Sequence, residues 1–456
     1  MEKTKIDEIM NAAIPEDARF IIEKLEEAGF EAYAVGGCVR DSLLGRTPGD
    51  WDLTTSAKPE EVKSIFKKTV DTGIVHGTVT VMMNKTGYEV TTYRIDGEYE
   101  DDRHPKEVSF TADLKKDLER RDFTINAMAW HPTRGLVDLF GGTEDLERKV
   151  IRAVGDPMER FNEDALRILR AFRFGAQLGF TVDPATADAA RELRQHLSSI
   201  SKERIESELN KLLLSDHPEQ FRRLYECGIT EVIMPEFDRM METGQNSPYH
   251  TYNVGDHTLA VMKAIPAERC LRWAALMHDM GKPESKTTDE NGIDHFYGHR
   301  FRSEEIADRI MKDLKMDRDT IDHVKRIVRW HDHRVSLDPK SVRRAYAKIG
   351  ADLIPDVLTI MEADAKGKNP ARIPEFLKYV SDLREICAQV EAAGSCVSLK
   401  QLEVRGNDLI ATGIAPGPEM GEILNQLLSE VLDDPEKNKK EYLLRRAKEL
   451  AGDEVI

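Results

Sequence analysis

The chain has 456 residues with 40% hydrophobic content, 29 glycines and 19 prolines, which is more than one core supports and excludes a low-complexity protein. Its formal net charge of −17 excludes a general nucleic-acid coat but not a local basic stripe, and no apolar run reaches the roughly 20 residues that span a bilayer. Five scattered cysteines, none spaced as Cys-x-x-Cys, point to a reduced, cytoplasmic protein. In chain order, residues 16–30 carry an amphipathic helical pattern ending at Gly29, and 31–35 read as a short strand leading into Gly36-Gly37. Near-alternating β-branched residues predict strands over 52–55, 77–83 and 88–94, with a helix over 59–68. This makes 30–150 an α/β region with a small mixed sheet. Beyond Asp156 strand signals fade. Helical spacing covers 161–175, 184–196, 202–214 and 217–227, then most of 250–375 and the last eighty residues. The expected fold class is α+β.

The chemistry is written first at Gly36-Gly37, Arg40 and the sequence Asp50-Trp51-Asp52. Side chains at i and i+2 of a strand share a face, which aims both carboxylates at one point, as a hard cation such as Mg²⁺ requires. A glycine pair lets backbone approach a phosphate chain, and Arg40 can grip it. Each piece alone is commoner as a turn or cap. Together they describe phosphoryl or nucleotidyl transfer. Arg120-Arg121-Asp122 is either a helix start capped by Asp122 or a guanidinium pair set on phosphates. Asp164, Arg167, Arg170 and Arg173 recur every three residues, which fits an ion-paired solvated helix face as well as a binding stripe.

Five motifs in this order resemble the class II tRNA nucleotidyltransferases, the CCA-adding enzymes and their poly(A) polymerase relatives. They are Gly36-Gly37-x-Val39-Arg40-Asp41, Asp50-x-Asp52, Arg120-Arg121-Asp122-Phe123-Thr124-Ile125-Asn126-Ala127, Asp138-Leu139-Phe140-Gly141-Gly142 and Glu163-Asp164-x-x-Arg167. The resemblance covers roughly residues 20–230. It implies a polymerase-β-like nucleotidyltransferase head over 1–150, a helical neck and body over 151–240, and helical domains behind. It also implies that Asp50 and Asp52 hold catalytic Mg²⁺, that Gly37, Arg40 and Arg121 contact the incoming CTP or ATP, and that tRNA is the partner, with no DNA and no membrane. Asp164 and Arg167 would read the base, supported by Arg170 and Arg173. An ionised Asp only accepts and an Arg only donates. The pair, expected a helical turn apart, would therefore match the amine and ring nitrogen of C and A and reject U and G. Glu89 is a candidate third carboxylate. The polar stretch 96–105 matches a family loop that helps the switch from C to A.

A histidine-rich stretch follows. Tyr249-His250, His257, His278-Asp279-Met280-Gly281-Lys282, Gly298-His299, Trp330-His331 and Ala363-Asp364 resemble the HD phosphohydrolase domain, placed over 241–375 and followed by a helical tail over 376–456. The resemblance implies a second metal site at His257, His278, Asp279 and Asp364 for a divalent transition metal or Mg²⁺. His299 and His331 would complete a further metal position, and Lys282 would hold a phosphate. The expected activity is template-independent addition of CCA to the 3′ end of tRNA. The alternatives are poly(A) polymerization, CC-only or A-only addition, or an HD phosphohydrolase whose N-terminal half merely binds RNA.

Overall fold

The computed structural model describes residues 2–74, 77–96 and 108–452. Beyond Asp96, the loop expected at 96–105 lies outside the described residues. The chain divides into two compact units, Met1–Pro235 and Glu236–Ile456.

The first unit opens with α1 (Lys3–Ala13), α2 (Glu16–Glu27) and β1 (Ala32–Val35). In α2, Glu16 and Asp17 sit in the first turn and Lys24 in the last, while Ala18, Ile21, Ile22 and Leu25 are buried. This is the arrangement a helix dipole and one apolar face favour. Next come α3 (Gly37–Leu43), β2 (Leu53–Thr55), α4 (Pro59–Ile65), β3 (Thr69–Gly73), β4 (Thr78–Met83) and β5 (Thr86–Thr92). Strand β6 (Arg94–Asp96) pairs with β7 (Val108–Phe110), α5 (Leu114–Glu119) runs up to the double arginine, and β8 (Met128–His131) and β9 (Gly135–Asp138) complete the sheet. The sheet has seven strands in the order β3-β4-β5-β2-β1-β8-β9. Its β2–β5 pair is parallel and its other pairs are antiparallel.

Of the seven strands of this sheet, β3, β8 and β9 are absent from the sequence reading. β3 is a mostly exposed edge rich in threonine and aspartate, and β8 is buried at all four positions. Neither shows the alternation that marks a half-buried strand.

Helices α6 (Gly142–Arg148), α7 (Pro157–Glu163), α8 (Leu166–Leu178), α9 (Pro184–Glu192), α10 (Lys202–Leu213), α11 (Phe221–Glu226), α12 (Thr230–Ile233) and α13 (Pro235–Glu242) follow. The helix expected across 161–175 is broken at Asp164, whose backbone is extended at φ −147° and ψ 103°. Its Oδ1 accepts from Leu166 N at 3.0 Å. Aspartate favours such local bonds at a helix start over a place in a helix interior.

The second unit is helical, with only a two-stranded ribbon over Thr287–Thr288 and Asp294–His295 among the described residues. Its helices are α14 (Val254–Ala264), α15 (Arg269–Met277), α16 (Lys282–Ser285), α17 (His299–Asp313), α18 (Arg318–Trp330), α19 (Pro339–Ile349), α20 (Ile354–Lys366) and α21 (Ile373–Ala392). The tail adds α22 (Gly406–Ala411), α23 (Pro418–Asp433) and α24 (Lys440–Leu450) over a core of Leu409, Leu427, Val431 and Leu443. No described helix is long and apolar enough to cross a membrane.

Candidate active site and candidate metal centre

Strand β1 is followed by Gly36, whose φ of 80° is open to glycine at little cost. Here a side chain would also meet neighbours, because a Cβ on Gly36 would lie 3.2 Å from Arg121 Nη1 and 3.6 Å from Asn126 O. The turn feeds α3, and Asp50 and Asp52 come just before β2 rather than within it. Asp52 is nevertheless bound to the sheet, since its carbonyl accepts from Val35 N at 3.0 Å. The parallel register Leu53↔Val90 sets Glu89 of β5 beside Asp52 on the face opposite the buried Leu53 and Val90. Burial, then the negative charges of Asp50 and Glu89, push the Asp52 carboxyl up to about 6, with Arg121 opposing. Carboxylates crowded until one resists ionisation are a donor set suited to a hard divalent cation.

The arginines around this point are held by a polar framework. Arg40 is buried, donates Nε and Nη2 to Asp41 at 2.8 and 2.9 Å, and gives Nη1 to Asn126 Oδ1 at 2.6 Å. Asn126 in turn donates to Asp122 Oδ1 at 3.1 Å, and Arg170 of α8 donates to Asp122 Oδ2 at 2.9 and 2.6 Å. The side chain of Phe174 has the guanidinium carbons of Arg40, Arg170 and Arg173 at 5.0, 5.4 and 3.6 Å from its ring centre. Arg121 is the least committed. Its Nη2 reaches Asp117 at 3.3 Å, while its Nε is buried without a partner.

Asp164 and Arg167 do not share a helix. Asp164 Oδ2 accepts from Arg204 of α10 at 2.8 Å. Arg167 is buried and donates to Glu163 at 2.5 Å, Arg160 O at 3.1 Å and Arg120 O at 2.8 Å. Those three bonds leave further donors of its five N–H groups. Arg173 is buried in a pair with Glu208 of α10 at 2.7 Å and also donates to Gln177 at 2.8 Å, so it ties two helices together.

Asp117 has no role in the sequence reading. It is fully buried, receives Arg120 at 2.8 Å and Arg121 at 3.3 Å, and accepts from Thr54 Oγ1 at 3.2 Å. The available signal was its spacing, three and four residues ahead of the double arginine. Arg204 stands in the sequence within the basic run Lys202, Arg204 and Lys211, a pattern that fits a solvated helix face equally well.

In the second unit, His257 lies on α14, His278 and Asp279 follow α15, His299 opens α17, His331 follows α18 and Asp364 lies on α20. Each imidazole turns Nδ1 to a backbone carbonyl. His257 faces Gly367 O at 3.0 Å, His278 faces Ala275 O at 2.8 Å, His299 faces Phe296 O at 2.8 Å and His331 faces Val328 O at 2.7 Å. A carbonyl only accepts, so Nδ1 carries a proton and Nε2 faces inward, where a cation or a second proton would meet it.

The ligand atoms of His257, His278 and Asp279 fall in one group and those of Asp279, His299 and His331 in another. Asp364 Oδ1 is 3.0 Å from His257 Nε2. Buried His278 Nε2 has no hydrogen-bond partner, and His299 and His331 point Nε2 at each other across 3.3 Å. Two facing lone pairs repel unless a cation or proton lies between them. The donor set therefore fits a pair of divalent metals, with Asp279 common to both. Lys282 Nζ lies 2.7 Å from Asp279 Oδ2, so it is placed on this carboxylate. Asp332, 3.7 Å from His299, is a further nearby acid that the sequence reading did not name.

A model of the poly(A) polymerase head domain matches residues 32–152. One of the RNA- and SrmB-binding region of polymerase A matches 179–241, and one of tRNA nucleotidyltransferase domain 2 matches 295–447. The CCA-adding enzyme of Leuconostoc mesenteroides is 36% identical over 96% of this chain and 97% of its own, and that of Limosilactobacillus fermentum is 36% identical over 95% and 97%. Among solved structures, the Bacillus stearothermophilus CCA-adding enzyme in complex with CTP superposes with a TM-score of 0.71 at 30% identity, covering 96% of this chain and 98% of that one. The Thermotoga maritima CCA-adding enzyme complexed with tRNA shares the fold, with a TM-score of 0.60 at 20% identity over 98% of each chain. With full-length relatives at this identity and the head-domain match falling on the carboxylate sheet, the chain belongs to the family of CCA-adding enzymes.

Proposed function

We propose that this chain adds C, C and A in turn to the 3′ end of tRNA, using CTP and ATP and no nucleic-acid template. The observation that carries the reading is the crowding of Asp50, Asp52 and Glu89 beside the Gly36 turn and Arg121. Asp50 and Asp52, with Glu89 next to them, would hold Mg²⁺. Bound there, such ions would supply acidification of the attacking 3′-hydroxyl and offset charge on the phosphates. Gly37 lets the backbone of α3 come close to the triphosphate. Arg121 supplies donors to it, and Arg40 and Arg170, fixed through Asn126 and Asp122, keep positive charge at that end of the site. Asp164 accepts from the exocyclic amine of C or A and Arg167 donates to the adjacent ring nitrogen. Arg204 and Glu163 set their directions, and Arg173 braces α8 from behind.

The second unit is proposed to bind divalent metal at His257, His278, Asp279 and Asp364, with His299 and His331 facing Asp279. The inward Nε2 atoms support this.

Asp50→Ala and Asp52→Ala test the transferase reading. Each is expected to abolish nucleotide addition while tRNA binding stays near wild type, because the lost ligand acts in the transition state. Extension rates within tenfold of wild type for both variants, with the fold intact, would rule out this assignment.

A further inference from the structure

The cleft above the histidine cluster has a volume of about 930 Å³ and runs past Asp279, His299 and Asp364. It opens into a side arm of about 380 Å³ that shares Tyr249, His250, Arg334 and Lys368 with it and continues to Phe376 and Tyr379. None of the six side chains belongs to the metal-ligand groups.

The walls of the arm are aromatic and fixed. Tyr249 and Phe376 meet edge to face at 6.1 Å and 66°. The Tyr379 hydroxyl donates to Val335 O and accepts from Val335 N, both at 2.9 Å, which locks its ring. Over these rings lies Arg334, with its guanidinium carbon 5.1 Å from the Phe376 centre and 4.8 Å from that of Tyr379. Among the described residues Arg334 has ring contacts but no hydrogen bond or ion pair, so its donors are uncommitted. Glu375, the acid at the rim, is neutralised by Arg372 at 2.8 Å. Lys368 joins arm and centre, because its Nζ sits 4.6 Å from the Phe376 ring and also pairs with Asp364.

Flat π surfaces, an uncommitted guanidinium and a lysine at the passage to the metal ligands ask for one kind of ligand. It has a planar aromatic part for the rings and an anionic part that reaches Lys368. A sugar phosphate lacks the first part and an apolar molecule lacks the second. We propose that the arm is a base-binding subsite, in which the base of a nucleoside monophosphate stacks on Phe376 beside Arg334 and the phosphate points past Lys368 to the metal centre. The proposal rests on the metal-site reading above for the phosphate end only.

The test is calorimetric titration of the full chain with adenosine 3′-monophosphate and with ribose 5-phosphate, once with Mn²⁺ and once in chelator, with metal content measured in parallel. The first unit is the same in wild type and variants, so differences between them report the arm. Phe376→Ala is expected to weaken adenosine 3′-monophosphate by roughly 5- to 150-fold, the range of one lost base–aromatic stack. It should leave ribose 5-phosphate unchanged, and the loss should persist in chelator. Phe376→Tyr keeps a ring and should keep the affinity, and Arg334→Ala should lose it. Wild-type affinity in both Phe376→Ala and Arg334→Ala, or equal binding of the two ligands by wild type, would overturn the subsite. Wild-type protein that retains no Mn²⁺ would overturn the metal reading instead and leave the comparison in chelator to decide the subsite.

Discussion

Arg204 holds Asp164 Oδ2 at 2.8 Å and Glu163 holds Arg167 at 2.5 Å, so neither side chain has to find its direction when a base arrives. On the proposed reading, that preorganisation would let two residues do the work of a template strand, because a wrong base would leave a fixed donor or acceptor unpaired. Asp164→Ala and Arg167→Ala are expected to lower discrimination against UTP and GTP by roughly 10- to 200-fold per lost contact. Incorporation of C should fall along with A, since one pair reads both. Single-nucleotide kinetics with all four triphosphates check this, with circular dichroism to confirm the fold. Unchanged C/U and A/G ratios in both variants would mean that the two residues only fasten α7 and α8. The Glu163-Asp164-x-x-Arg167 motif is what singles out this pair as candidates in the sequence. Arg204, which holds Asp164, was not legible there, because it lies forty residues away.

Between elements, Asp122 fastens α8 to the segment after α5 through Arg170. Burial alone would raise its carboxyl pKa, but Arg170 and Asn126 outweigh burial and hold it well below the usual carboxylate range. A carboxyl lowered in the folded state adds stability above its unfolded value of about 4, and that stability is lost as pH falls below it. Asp122→Asn should therefore be less stable than wild type at pH 7, with the gap narrowing steadily below about pH 4. Urea unfolding midpoints at pH 7, 4 and 3 check this, and a gap that stays constant would contradict it. Long periodic elements such as α2 and α10 were legible because an apolar stripe repeats along them. The break between α7 and α8 was not. Ala165, Ile168, Leu169 and Phe172 keep helical spacing across it, and Asp164 only changes the backbone locally. Strand β8 escaped notice because its four residues are all buried, which removes the alternation.

At the scale of the molecule, the two units carry separate candidate sites, carboxylates on a mixed sheet in one and histidines between helices in the other. His278→Ala and Asp279→Ala should lose retained Mn²⁺ or Co²⁺ by elemental analysis yet extend tRNA at near wild-type rates. Loss of extension in both, with an intact fold, would contradict that separation. The most direct test of the whole account is extension of tRNA lacking its three terminal nucleotides, with CTP and ATP supplied singly and together. Two additions are expected with CTP alone, none with ATP alone, and three with both, after which synthesis stops. A growing ladder of A, or a stop after two cytidines when ATP is present, would contradict this.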